Sequence, residues 1–123
     1  MMWLAIAFGG ALGAMARYAI ALKLAGSAGR FPIATFVTNG LGCFLMGLGF
    51  VLIVERALLP EVWRHVILIG MLGAFTTFST FSIESLSLIQ IGAWKMAGLY
   101  IGASVVGSLV AVAAGVGIAK TFF

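Results

Sequence analysis

Four long apolar runs, joined by short linkers, constrain this chain more than any other feature of it. Each run supplies the ~20 residues that an α-helix needs to cross a bilayer. The linkers are too short to form a second domain. With 63% of its 123 residues hydrophobic and only 8% charged, and a mean hydropathy of +1.24, the chain lies far from the balance of a water-soluble domain. The sequence therefore predicts an all-α membrane protein, a single four-helix transmembrane domain over residues 1–123 that sits multi-pass in a cell membrane. The segment from Met1 to Tyr18 has no basic n-region and no small-residue cleavage signal, so it reads as a retained first helix.

Charge and residue chemistry narrow the function classes. The net charge of +4 comes largely from Lys and Arg in loops and at helix ends, as expected at lipid headgroups, and does not argue for nucleic acid. Cys43 is the only cysteine and can form no intrachain disulfide. The chain has no Asp, and its single His65 and single Cys43 fall in different predicted environments. No nucleophile and base pair can be named, so an enzyme is not expected.

Helix 1 is predicted from about Trp3 to Leu24, with Gly9, Gly10, Gly13 and Ala14 spaced for close helix contact. Arg17, near its far end, is placed to snorkel to the headgroups, with a structural or entry role as the alternative. After a turn rich in Gly and Ser, Pro32 is placed to begin helix 2, which runs to about Val54. Thr35, Asn39 and Cys43 recur at i, i+4 and i+8 and form a polar stripe inside lipid. An intramembrane Asn either bonds across a helix interface or lines a path for a polar solute. The connector from Glu55 to His65 reads as a solvated interfacial turn with Trp63 at headgroup depth.

Helix 3 is predicted to begin near Arg64 or Val66 and to reach about Gln90. Its centre, Gly70 to Glu84, reads GMLGAFTTFSTFSIE. Thr76, Thr77, Ser79, Thr80 and Ser82 compete for nearby backbone groups, and Gly70 and Gly73 weaken the helix further, so a break is expected at its centre. Non-helical backbone survives at membrane depth only where it is buried in protein or lines a water-filled cavity. The carbonyls of such a break can hold a cation and its N–H groups or hydroxyls an anion. The other reading is a buried helix whose hydroxyls bond back to the preceding turn. Phe75, Phe78 and Phe81 recur every third residue beside these hydroxyls, and a ring edge can face an anion. Glu84, the only acid inside a predicted span, is a functional candidate, unless it sits hydrated near the exit. Helix 4 runs from about Trp94 or Met96 to Ile118, and Tyr100, Ser104 and Ser108 at i, i+4 and i+8 give it the clearest polar stripe in the chain.

Four spans put both termini and the central connector on one side of the membrane. That side carries Arg56, Arg64 and Lys120. The other carries Lys23, Arg30 and Lys95, with Arg17 close by. So little bias permits insertion in both orientations, and hence an antiparallel two-fold dimer with its axis in the membrane plane. A single, weakly biased topology is the alternative.

Three stretches, GGALGAMARY (Gly9 to Tyr18), TFVTNGLGCFLMG (Thr35 to Gly47) and above all GMLGAFTTFSTFSIE, resemble the Fluc (CrcB) family of microbial fluoride channels, over essentially the whole chain. The family motif around the helix 2 asparagine often begins Gly-Thr, whereas this chain has Ala34-Thr35. The resemblance implies a dual-topology antiparallel homodimer in a bacterial plasma or inner membrane. It implies two fluoride pores that export the ion passively and keep cytoplasmic fluoride low. A central sodium ion, structural and not transported, would be held by the backbone carbonyls of Gly73 and Thr76 of both subunits, at a helix 3 break spanning Gly73 to Thr76. By the same resemblance the ring edges of Phe78 and Phe81 would face fluoride and Asn39 would donate to it. Tyr100, Ser104, Ser108 and Thr80 would extend a neutral hydrogen-bonding track. Arg17, Thr35 and Glu84 are further candidates without an assigned role. Size and charge balance alone also fit a small dual-topology multidrug exporter, but such exporters carry a membrane-embedded Glu in helix 1, and here the ionisable group there is Arg17. A structural subunit without transport needs only the Gly-rich faces and leaves the polar stripes without a purpose.

Overall fold

The computed structural model describes residues 1–26, 29 and 31–123. Arg30, counted above among the loop cations, lies outside the described residues. Four helical spans are long and apolar enough to cross a membrane: α1 (Met2–Leu24), α2 (Ile33–Glu55), α3 (Glu61–Gln90) and α4 (Trp94–Phe122). No strand occurs among the described residues.

The spans pack as two pairs, α1 on the first half of α3 and α2 along α4. Small residues bring the backbones together in both. A side chain at Gly13 would run into the Met71 carbonyl. In the other pair, one at Gly47 would meet the Val112 carbonyl and one at Gly115 the Phe44 carbonyl. Close approach of this kind is how helices associate in lipid, where burying apolar surface gives no net drive. The outer faces stay apolar, with Leu4, Phe8, Met15 and Leu22 of α1 all exposed on the chain.

Three span ends differ from the sequence reading. Pro32 precedes α2 as its N-cap instead of opening its first turn. α3 starts at Glu61, earlier than the expected Arg64 or Val66, because Pro60 stands just before it and an acidic side chain suits the first turn. The solvated connector shrinks accordingly. α4 continues past Ile118 to Phe122. Lys120 in that extra turn pairs with Glu55 at 3.2 Å, Thr121 donates to the Gly117 carbonyl, and Arg56 donates to the Phe123 carbonyl. The end of α4 is thereby tied to the end of α2. His65 Nδ1 lies 3.1 Å from the Glu61 carbonyl of the preceding turn.

Two spans depart from α-helical winding. α2 is regular over Ile33–Gly49 and then takes π-helical turns over Phe50–Glu55. α3 is π-helical over Arg64–Leu72, closes one α-turn over Gly73–Phe75 and is α-helical again over Phe78–Gln90. Between the last two segments Thr76 (φ −79°, ψ 154°) and Thr77 (φ −150°, ψ 114°) are extended.

Candidate functional site

The extended pair Thr76 and Thr77 leaves backbone groups without helical partners, and neighbouring side chains take them up. Asn39 of α2 clasps Thr77 at both ends. Its Nδ2 donates to the Thr77 carbonyl at 3.0 Å, and its Oδ1 accepts the Thr77 N–H at 2.8 Å. This reproduces the paired N–H and C=O exchange of two facing strands with a side-chain amide in place of a peptide. Thr77 in turn caps the helix that follows, its Oγ1 accepting the Thr80 N–H at 3.1 Å, the ordinary N-cap role of a threonine. The same hydroxyl donates to Thr80 Oγ1 at 3.0 Å. Thr76 hangs on the turn before it, its hydroxyl donating to the Leu72 carbonyl at 2.9 Å. Directly opposite, Gly42 of α2 is bare, and a side chain there would meet the Thr76 methyl and the Phe75 ring.

One turn further along α3, Glu84 joins three helices. Thr35 of α2 donates to its Oε1 at 2.9 Å and Tyr100 of α4 donates to its Oε2 at 2.7 Å. A carboxylate inside a span persists only when paired in this way. The Tyr100 ring, wholly buried, carries a run of aromatic contacts. Phe31 lies edge-on to it at 5.5 Å and 88°, Phe81 lies tilted at 5.4 Å, and Phe78 continues the run from Phe81 at 5.4 Å.

These bonds stitch α2 to the second half of α3, and a cavity opens on each side of the seam. On the α4 side, a cavity of about 290 Å³ is lined by Asn39, Phe78, Phe81, Ser104, Val105, Ser108 and Leu109. No charged side chain is among these. Ser104 is buried there, and its Oγ has no hydrogen-bond partner among the described residues. On the α1 side, a cavity of about 260 Å³ is lined by residues that include Arg17, Tyr18, Thr35, Thr38, Thr77, Thr80 and Glu84. Arg17 Nε is buried there without a partner.

The structure thus brings Asn39, Phe78, Phe81, Ser104 and Ser108 together and places the other candidates elsewhere. Thr80 faces the α1-side cavity, because it lies in line with Thr77 and Glu84 on the other face of α3. Tyr100 turns to Glu84 and leaves the line of Ser104 and Ser108. Arg17 lines the α1-side cavity together with Thr35 and Glu84, its Nε buried. Glu84 is held by two hydroxyls and is half-buried. Gly73 is exposed on the chain and Thr76 half-buried. Two residues take part that sequence reasoning did not single out. Thr77 was one hydroxyl among several in its stretch, and Thr38, 1% exposed in the α1-side cavity, lay off the face drawn through Thr35 and Asn39.

Among the described residues no cluster of His, Cys, Asp or Glu can hold a metal ion. Backbone oxygens are the available hard ligands, and the Gly73 and Thr76 carbonyls are among those that the break between Phe75 and Phe78 leaves without a helical donor. In an unbroken helix the Gly73 carbonyl would accept the Thr77 N–H and the Thr76 carbonyl the Thr80 N–H. Both donors are engaged elsewhere, by Asn39 and by the Thr77 hydroxyl.

Four spanning helices, with one uncharged and mostly apolar cavity open at the surface of the chain and one lined by charged and hydroxyl side chains, define a multi-pass cell-membrane protein. The model of the CrcB-like protein family, Camphor Resistance (CrcB), matches residues 4–116, and the chain belongs to that family. It is 58% identical over 112 residues to a "Fluoride-specific ion channel FluC" of Saccharophagus degradans, an alignment covering 91% of this chain and 84% of that protein. Proteins of the same name from Chloroflexus aurantiacus (48% over 120 residues, 97% and 95% covered) and Magnetococcus marinus (48% over 101 residues, 81% and 82% covered) are also similar. The family is one of ion channels and not of enzymes.

Proposed function

We propose that this chain is a fluoride-selective channel through which fluoride leaves the cell passively down its gradient. The observation that carries the reading is the α4-side cavity, where an amide, two serines and two phenylalanines converge without a charged group and Ser104 Oγ is left without a partner. A buried hydroxyl without a partner is costly, and a small anion that accepts its proton relieves that cost. Neutral donors and positive ring edges replace part of the hydration of an anion without holding it as tightly as a cation would, and conduction requires that balance. Asn39 spends one N–H on Thr77, and its second serves the ion. Names of relatives that specify fluoride supply the identity of the anion.

The working unit in this reading is an antiparallel dual-topology homodimer of single four-helix domains. Phe78 is 78% exposed on one chain, which leaves it for a second copy to cover, and the described loop cations divide between the two sides, with Lys23 and Lys95 facing Arg56, Arg64 and Lys120. A structural sodium ion would be held by the Gly73 and Thr76 carbonyls of both copies. The donor set fits such an ion, since neutral hard oxygens suit sodium and their usual helical donors are diverted. When bound, the ion supplies a fixed positive charge close to the anion path. Reconstituted protein in liposomes, read with fluoride and chloride electrodes, tests the channel: fluoride efflux without chloride efflux and without need of a pH gradient is expected. Equal chloride flux, or flux that depends on a proton gradient, overturns it.

A further inference from the structure

We infer that the side chains of Asn39 and Thr77 are the positioning residues of the cation site, each removing the N–H that would otherwise close over one of its carbonyls. The inference rests on the cation site proposed above. In a continuous helix the Gly73 carbonyl is occupied by the Thr77 N–H and the Thr76 carbonyl by the Thr80 N–H. Asn39 Oδ1 holds the first donor at 2.8 Å and Thr77 Oγ1 holds the second at 3.1 Å. Two side chains therefore account, one each, for the two carbonyls.

Direction follows from the same bonds. A trans peptide is planar, with its C=O and N–H opposed. The peptide joining Thr76 to Thr77 sends its N–H to Asn39, so its oxygen, that of Thr76, is aimed away from Asn39. The Thr77 carbonyl, on the same side of an extended residue as its own N–H, is fixed by Asn39 Nδ2 at 3.0 Å, which prevents the peptide from rotating. Asn39 also lines the uncharged cavity with Phe78, Phe81 and Ser104. One side chain thus touches the anion cavity on one side and sets the cation carbonyls on the other, and the two ions are coupled through it. Coupling of this kind is reciprocal.

The test is the thermal midpoint of the purified detergent-solubilised protein, titrated with sodium against N-methylglucamine at constant ionic strength. The parent midpoint is expected to rise with sodium. Thr77→Val keeps the shape but loses the acceptor, and Asn39→Leu loses both bonds; each moves the sodium titration up by about ten- to a hundredfold, as loss of an outer-shell partner does. Thr77→Ser, which keeps the acceptor, titrates within about twofold of the parent. If Asn39→Leu does not fold, the Val and Ser variants at position 77 decide between them. A Thr77→Val protein that titrates like the parent overturns the inference while leaving the cation site standing. A parent indifferent to sodium overturns both, and fluoride efflux from the same preparations is read independently of either.

Discussion

Tyr100 gives its hydroxyl hydrogen to Oε2 of Glu84 at 2.7 Å, although its register on α4 puts it on the same face as Ser104 and Ser108. The ring explains the departure. It lies between Phe31 and Phe81, wholly buried, and the hydroxyl of the ring so packed ends on the carboxylate of α3. Since Thr35 holds the other oxygen, the two donors form one unit around Glu84. Tyr100→Phe and Thr35→Val are each expected to cost about 1.5 to 3 kcal/mol, the range for a hydrogen bond to a charged group. The double variant should lose a different amount from the sum, because both bonds end on one carboxylate. Thermal unfolding of the purified proteins checks this, and simple additivity would show that the unit does not exist.

Close backbone contact between α1 and α3 gives a second prediction. Gly13 faces the Met71 carbonyl with no room for a side chain, and backbone cannot give way as a flexible side chain can. Gly13→Ala is expected to destabilise the protein by about 1 to 3 kcal/mol, the usual cost of overpacking. Gly98→Ala, in open space on α4, should be neutral or slightly stabilising through helix propensity. Equal midpoints for the two variants in a thermal melt would contradict the packing.

The balance of charge between the two faces gives a third. Two lysines added to the loop between α3 and α4 should lock one orientation, and two added between α2 and α3 the other. Neither locked protein alone is expected to pass fluoride, and coexpression of the two should restore flux. Full activity from one locked protein by itself would rule out an antiparallel dimer.

The four spans were legible because bilayer thickness sets the length of an apolar run and little else competes with it. Span ends were less so: the added turn of α4 depends on Lys120 reaching Glu55, a contact between distant parts of the chain. The site was legible as a set of residues and less as a geometry. Helical register correctly puts Tyr100, Ser104 and Ser108 on one face, but it does not say toward which neighbour a long side chain leans. Thr77 was hidden among equivalent hydroxyls, and what distinguishes it is Asn39, 38 residues away along the chain.

The last prediction separates packing from conduction at the phenylalanines. Phe75 is 6% exposed and Phe81 9%, whereas Phe78 is 78% exposed on the chain. Replacement by Ile keeps bulk and apolarity and removes the ring edge. If these rings serve only as core, within one chain or between two copies, each replacement by Ile should cost up to about 1.5 kcal/mol, with flux retained in all three. If Phe78 and Phe81 line the ion path, both should lose flux by about tenfold or more, which corresponds to ~1.4 kcal/mol at the barrier, whatever their stability. Phe75 packs toward Gly42 and away from the cavity, so Phe75→Ile is expected to melt lower yet conduct. The informative protein is Phe78→Ile: an unchanged melting point with steeply reduced fluoride efflux identifies the ring edge as part of the path. Parent-like efflux from it would place the path elsewhere.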